Sequence, residues 1–93
     1  MSTDVRRNDE KSRYELFVDD RVVGIADFRI EGRAVIFPHT QIDEALRGQG
    51  LGAILVGAAL DDVRSTGRSV LALCWYVARF IDEHPEYNDL LAA

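Results

Sequence analysis

Apolar residues change rhythm near the middle of this chain: before residue 43 they fall mostly at every second position, and after residue 52 at every third or fourth. Alternation at period two marks a half-buried strand, and steps of three and four mark one face of a helix. Within Arg13–Val18 (RYELFV), Tyr14, Leu16 and Val18 share one side of a pleat, which predicts a strand. Asp19-Asp20-Arg21 supplies turn residues. Val22–Ile30 resumes the alternation, with Ala26, Phe28 and Ile30 facing one way and Asp27 and Arg29 the other. Glu31-Gly32-Arg33 makes a second hairpin turn, and Ala34–Ile42 (AVIFPHTQI) reads as a third strand. Simple alternation there puts Phe37, His39 and Gln41 on one face. Pro38 interrupts this run and cannot donate to a ladder, so it implies a bulge, a splayed strand or an edge.

The second rhythm begins at Ala53. Val56, Leu60 and Val63, with Leu55 and Ala59 alongside, predict a helix over Ala53–Thr66. Gly67 stands in the C′ position, and Arg64 suits the negative end of the dipole. Ser69–Leu73 (SVLAL) is short and continuously apolar, as a strand buried on both faces would be. A second helix over Trp75–Glu83 presents Val77, Phe80 and Ile81 on one side and stops before Pro85. Met1–Ser12 is polar and aperiodic, which predicts a flexible N-terminal arm (1–12) ahead of a single domain (13–93). The expected order is β-β-β-α-β-α. This is an α+β fold in which three antiparallel strands lead through a right-handed crossover to a parallel fourth strand in a mixed sheet.

Composition narrows the classes. At 93 residues, with 47% hydrophobic and 29% charged residues, the chain is suited to one globular domain with a modest core. Cys74 is the only cysteine and no zinc-like Cys/His cluster occurs, so neither a disulfide nor a metal site is expected. Cysteine usage of this kind suits a reduced, cytoplasmic setting. A net charge of −5 argues against nucleic acid as a partner and suits a cationic acceptor such as an amine. No apolar run is long enough to cross a membrane, Met1–Ser12 lacks the apolar centre of a signal peptide, and no polybasic patch marks a membrane surface.

The candidate chemistry centres on RGQGLG, Arg47–Gly52, between the third strand and the first helix. The first turn of a helix leaves N–H groups without intrahelical partners, its dipole favours negative charge, and glycine admits a phosphate to bare backbone. The alternative is a tight turn and nothing more. The loop lacks the Gly-Lys-Ser/Thr of a P-loop and does not follow the dinucleotide-binding pattern.

The loop resembles the acetyl-coenzyme A motif of the GNAT acyltransferase superfamily, Gln/Arg-x-x-Gly-x-Gly/Ala, with Arg47, Gly50 and Gly52 in the defining positions. FPHTQIDEALRGQGLG followed by CWYVARFIDEHPEY is similar to a small single-domain GNAT subgroup, which has His-Thr-Glu-Val before the loop and Cys-Pro-Tyr-Val…His-Pro-Glu-Tyr at the end. The likeness runs from about Arg13 to Leu90. It implies that backbone N–H groups of Arg47, Gly48, Gln49, Gly50, Leu51 and Gly52 hold the pyrophosphate of acetyl-CoA. It also implies that the pantetheine arm pairs with the backbone of Gln41 and Ile42 beside the splayed third strand. The acyl group would then be passed to an amine, of a small molecule or of a protein lysine.

For that reaction Cys74 is a candidate acyl carrier or proton donor, set against an inert buried thiol. His39 is a candidate base, set against a hydrogen-bonded strand histidine. Tyr76 or Tyr87 could donate a phenolic proton, because Phe80 takes the place where many GNAT proteins carry a tyrosine. His84, at a helix end, suits a capping role. Gln41 replaces the subgroup's glutamate and Trp75 its proline, while Asp43 and Glu44 offer carboxylates nearby. These departures leave two readings: a minimal N-acetyltransferase working directly or through Cys74, and a non-catalytic acyl-CoA-binding regulatory module. A plain interaction domain is the third. So short a chain has little room for an acceptor subdomain, so a shallow acceptor site is expected, and the oligomeric state is open.

Overall fold

The computed structural model describes residues 2–91, leaving Met1 of the expected arm and Ala92–Ala93 of the expected domain outside the described residues. Five strands run in the spatial order of the chain: β1 (Thr3–Asn8), β2 (Arg13–Val18), β3 (Arg21–Glu31), β4 (Ala34–Ile42) and β5 (Ser69–Ala72). The first four are antiparallel neighbours, and β5 lies parallel to β4. Helix α1 (Leu51–Thr66) makes the crossover between β4 and β5, and α2 (Trp75–Glu83) follows β5. A 3₁₀ segment, Pro85–Leu90, closes the described chain.

Strand β1 replaces the expected flexible arm. Its six residues pair with the whole of β2, from Thr3 opposite Val18 to Asn8 opposite Arg13. Its pattern is polar because it is an edge strand, where ladder hydrogen bonds rather than apolar burial hold the chain and charges guard against further pairing. One end is also tied to α1. Arg7 Nη1 donates to Asp62 Oδ2 at 2.8 Å, and the buried Tyr14 hydroxyl donates to the same oxygen at 2.7 Å.

Both helices lie on one face of the sheet. Tyr14, Leu16, Ala26 and Phe37 from the sheet meet Leu55, Val56, Leu60 and Val63 of α1 and Val77 and Ile81 of α2 in one core. Each large side chain so buried stabilises the fold by about 1.5–3 kcal/mol. Helix α1 begins at Leu51, earlier than its spacing suggested, because Leu51 itself is buried. Strand β5 is covered on the Val70 face only. Leu71 is 42% exposed on the other, so the expectation of two buried faces is corrected: an apolar run does not reveal which of its faces a helix covers.

The placement of the site depends on β4. Asp27 of β3 faces His39, but Arg29 faces Ile36, so Phe37 and Pro38 together oppose Phe28 in a bulge. Thr40 and Ile42 therefore pair with Ala26 and Gly24 and point to the helix side, as Phe37 does. His39 and Gln41 point to the open side with Asp27 and Ile25. His39 and Gln41 do share a face, but Phe37 is not on it. Pairing between β4 and β5 stops at Phe37 opposite Ala72. The last link is the Cys74 N–H donating to the Phe37 carbonyl at 2.8 Å, after which the strands part.

Candidate functional site

The parting strands open a cleft of about 900 Å³. One wall is β4 beyond its bulge, the second is the glycine loop, and the third is the start of α2 with Leu73. Arg47, Gly48, Gly50, Leu51 and Gly52 line it, as do Gln41 and Ile42; Gln49 does not.

The loop is shaped by its glycines. Gly48 and Gly50 have φ of 85° and 76°, in the left-handed region that other L residues adopt only with strain. Gly50 is the N-cap of α1 and offers no capping side chain, so the first-turn N–H groups of this helix are capped by no side chain of that residue. The first backbone link across this cap is the Ile54 N–H donating to the Gly50 carbonyl at 3.3 Å. Gly52 gives the phenol end of Tyr76 its room: a Cβ there would lie 2.8 Å from Cζ of Tyr76, with the phenol oxygen closer still, so the ring would have to shift. Asp43, considered as a carboxylate for the chemistry, instead caps the short Glu44–Leu46 turn by accepting from the Ala45 N–H at 3.0 Å.

Cys74 is buried at the N-cap of α2, facing the cleft. Its thiol donates to Thr40 Oγ1 at 3.6 Å, across the gap between the parted strands. Burial pushes the thiol pKa up, but once the proton is lost the Thr40 hydroxyl can turn to donate to the sulfur and, with the backbone N–H groups of Val77 and Tyr76, favours the thiolate more. The net result holds Cys74 below the usual thiol range. The thiol closes no regular capping bond onto α2, so those N–H groups act as favourable neighbours rather than as fixed donors in the thiol form.

Thr40 is the residue that sequence reasoning missed. Strict alternation gave the inward place to His39, and only the bulge at Pro38 moves it to Thr40. His39 is exposed, with Nε2 3.3 Å from Gln41 Oε1. Both line the cleft on its open side, away from the Thr40 face. Tyr76 lines the cleft, against Gly52. Tyr87 does not: it donates to Asp61 at 2.8 Å on α1. Phe80 is buried, with its ring stacked 4.0 Å from that of His84, whose Nδ1 lies 2.7 Å from the Phe80 carbonyl at the end of α2. Among the described residues, no group of three or more His, Cys, Asp or Glu is placed to hold a metal ion, and no helix is long and apolar enough to cross a membrane.

A mixed sheet parted at a β-bulge, with a glycine-capped helix facing the gap, is a GNAT-like fold. Known proteins agree. Residues 13–90 match the model of the GCN5-related N-acetyltransferase family, and the chain belongs to that family. It is 35% identical to protein NATD1 of Bos taurus over 66 residues, covering 71% of this chain and 58% of the bovine protein. It is 29% identical to NATD1 of Danio rerio over 94 residues, covering 94% and 84%. The match therefore spans somewhat over half the length of the bovine relative. A GCN5-like protein of Staphylococcus aureus superposes with a TM-score of 0.74 at 16% identity, over 97% of this chain and 88% of that one. The ribosomal-protein-S18-alanine N-acetyltransferase of Escherichia coli gives 0.61 at 16% identity, over 64% and 39%. At such identities the two structures speak for the fold alone.

Proposed function

We propose that this chain is an acyl-CoA-dependent N-acyltransferase that passes an acetyl group to an amine, with Cys74 as its working side chain. The observation that carries the reading is the convergence, in one cleft, of a glycine-capped helix start, the free edge of β4 beyond Pro38 and a thiol held below its usual pKa. Acetyl-CoA is the co-substrate typical of the family, and these residues fit it. The left-handed Gly48 and Gly50 and the N-terminus of α1 suit a diphosphate, and the unpaired side of Gln41 and Ile42 suits an amide-bearing arm. When bound, that co-substrate supplies the activated acyl thioester.

Transfer forms an N–C bond to the acyl carbon, breaks the C–S bond, removes one proton from the amine and delivers one to the departing sulfur. Cys74 Sγ is suited to hold the delivered proton, or as thiolate to take the acyl group first. Thr40 fixes the position of that sulfur. Tyr76, against Gly52, is the neighbouring phenol. The second reading, a binding module without turnover, draws on Gln41, which is an amide and is engaged with His39.

A titration with acetyl-CoA, repeated on Gly50→Glu, tests the cradle: wild type should bind and the variant should not. Release of free thiol with amine acceptors then separates transfer from binding alone. A Cys74→Ser variant that kept the full rate would end the role given to that residue.

A further inference from the structure

The acceptor side of the cleft has a chemical character of its own. Residues from both faces of the sheet line the cleft, Thr40 and Tyr76 from the helix side and His39, Gln41 and Leu73 from the open side, so it passes through the gap between β4 and β5. The glycine loop occupies the helix side, which leaves the open face for the acceptor. Leu73 and Trp75, which line the cleft, are 57% and 69% exposed, and Leu71, 42% exposed, lies on the open face just short of the gap. Farther across the same face Arg6 lies 4.4 Å over the ring of Phe17, and Arg13 pairs with Glu15 at 2.8 Å. Apolar side chains gathered at a groove mark a ligand-binding surface.

Charge argues in the same direction. The chain carries −5 overall, yet none of the residues lining the cleft is Asp or Glu. Within the cleft a second ammonium group would find no carboxylate to pair with, since Asp27, opposite His39 on the open face, lies outside its lining. An extended peptide that added itself to the margin of β5 would find that position taken, since Leu91 already bridges Val70. An amine must also be neutral to attack, and apolar surroundings favour its neutral form.

We propose that the acceptor is a small primary amine joined through a short chain to a flat apolar group, which lies on Leu73 and Trp75 at the open mouth of the cleft. This deepens the transferase reading and rests on it. Trp75 is suited to the part because its ring meets Tyr76 edge-on, 5.8 Å away at 77°, which fixes its orientation and leaves most of the side chain free.

Trp75 is the only tryptophan, so its emission reports on the ledge directly, with or without turnover. With unreactive coenzyme A present, 2-phenylethylamine should change that emission saturably, and spermidine and a lysine-containing peptide should not. In thiol-release assays, Trp75→Ala should cut the kcat/KM preference for 2-phenylethylamine over ethylamine about tenfold while acetyl-CoA affinity is kept. The proposal is overturned if spermidine or the peptide is preferred, if the variant leaves the preference unchanged, or if 2-phenylethylamine leaves the emission unmoved while acetyl-CoA binds. Should acetyl-CoA itself not bind, the transferase reading fails instead; should no amine be turned over, the emission titration alone decides.

Discussion

At the scale of single residues, the contact between Cys74 and Thr40 bears on the acidity of the thiol. A thiol buried without polar neighbours titrates above the usual value of about 8.5, whereas this one is held below its usual range. Alkylation of Cys74 should therefore reach its half-maximal rate at a lower pH than alkylation of a free thiol. Thr40→Val should move that midpoint upward and slow the reaction at neutral pH, and a pH series of iodoacetamide rates checks both. The sign for stability follows. A folded-state pKa that is depressed gives stability present above the unfolded pKa and lost as pH falls through the folded one. Tyr87 behaves in the opposite sense. Burial, then its bond to Asp61, pushes its pKa up to about 12. Its contribution is complete below the unfolded value of about 10 and is lost as pH rises towards about 12. Alkaline unfolding should thus weaken the docking of Pro85–Leu90, and Tyr87→Phe should flatten that part of the stability curve.

At the scale of elements, the strands and helices with clear periods could be located from sequence, and those without could not. Arg13–Val18, Ala34–Ile42 and Trp75–Glu83 have the boundaries their apolar spacing suggests. Strand β1 was invisible because an edge strand tethered by Arg7 and its ladder needs little apolar periodicity. Two changes there should differ sharply in effect. Arg7→Ala breaks an ion pair whose partners are 40% and 38% exposed, so it should cost no more than about 1 kcal/mol. Removal of residues 1–8 bares the whole margin of β2 and should lower the thermal midpoint markedly and promote aggregation, both measurable by calorimetry with light scattering.

At the scale of the whole molecule, the glycine loop, Cys74 and Trp75 stand out in the sequence and the structure gathers them along one cleft, whereas Thr40 and Leu73 carry no such mark. Residue type says nothing of a one-residue shift in register, nor of which sheet face the helices leave bare. Core and site are also separable in energy. Phe37→Ala, at the heart of the core, should cost about 3–5 kcal/mol of stability. A Cβ at Gly50 meets no atom within 4 Å, so Gly50→Glu should cost chiefly the left-handed backbone strain of about 1–2 kcal/mol, while placing a carboxylate where a diphosphate would rest. Denaturant unfolding beside acetyl-CoA titration distinguishes the two.

Pro38 gives this division a concrete form. The register on its two sides differs by one residue, so excising Pro38 would leave His39 and Thr40 opposite their present neighbours on β3 and make the ladder continuous. β4 could then reach no farther than Leu73 and Cys74 before α2 turns the neighbouring chain away, so the gap would narrow rather than vanish. Such a protein should be at least as robust as its parent, and its loss of acetyl-CoA affinity in a titration would mark the flaw in the weave as the doorway.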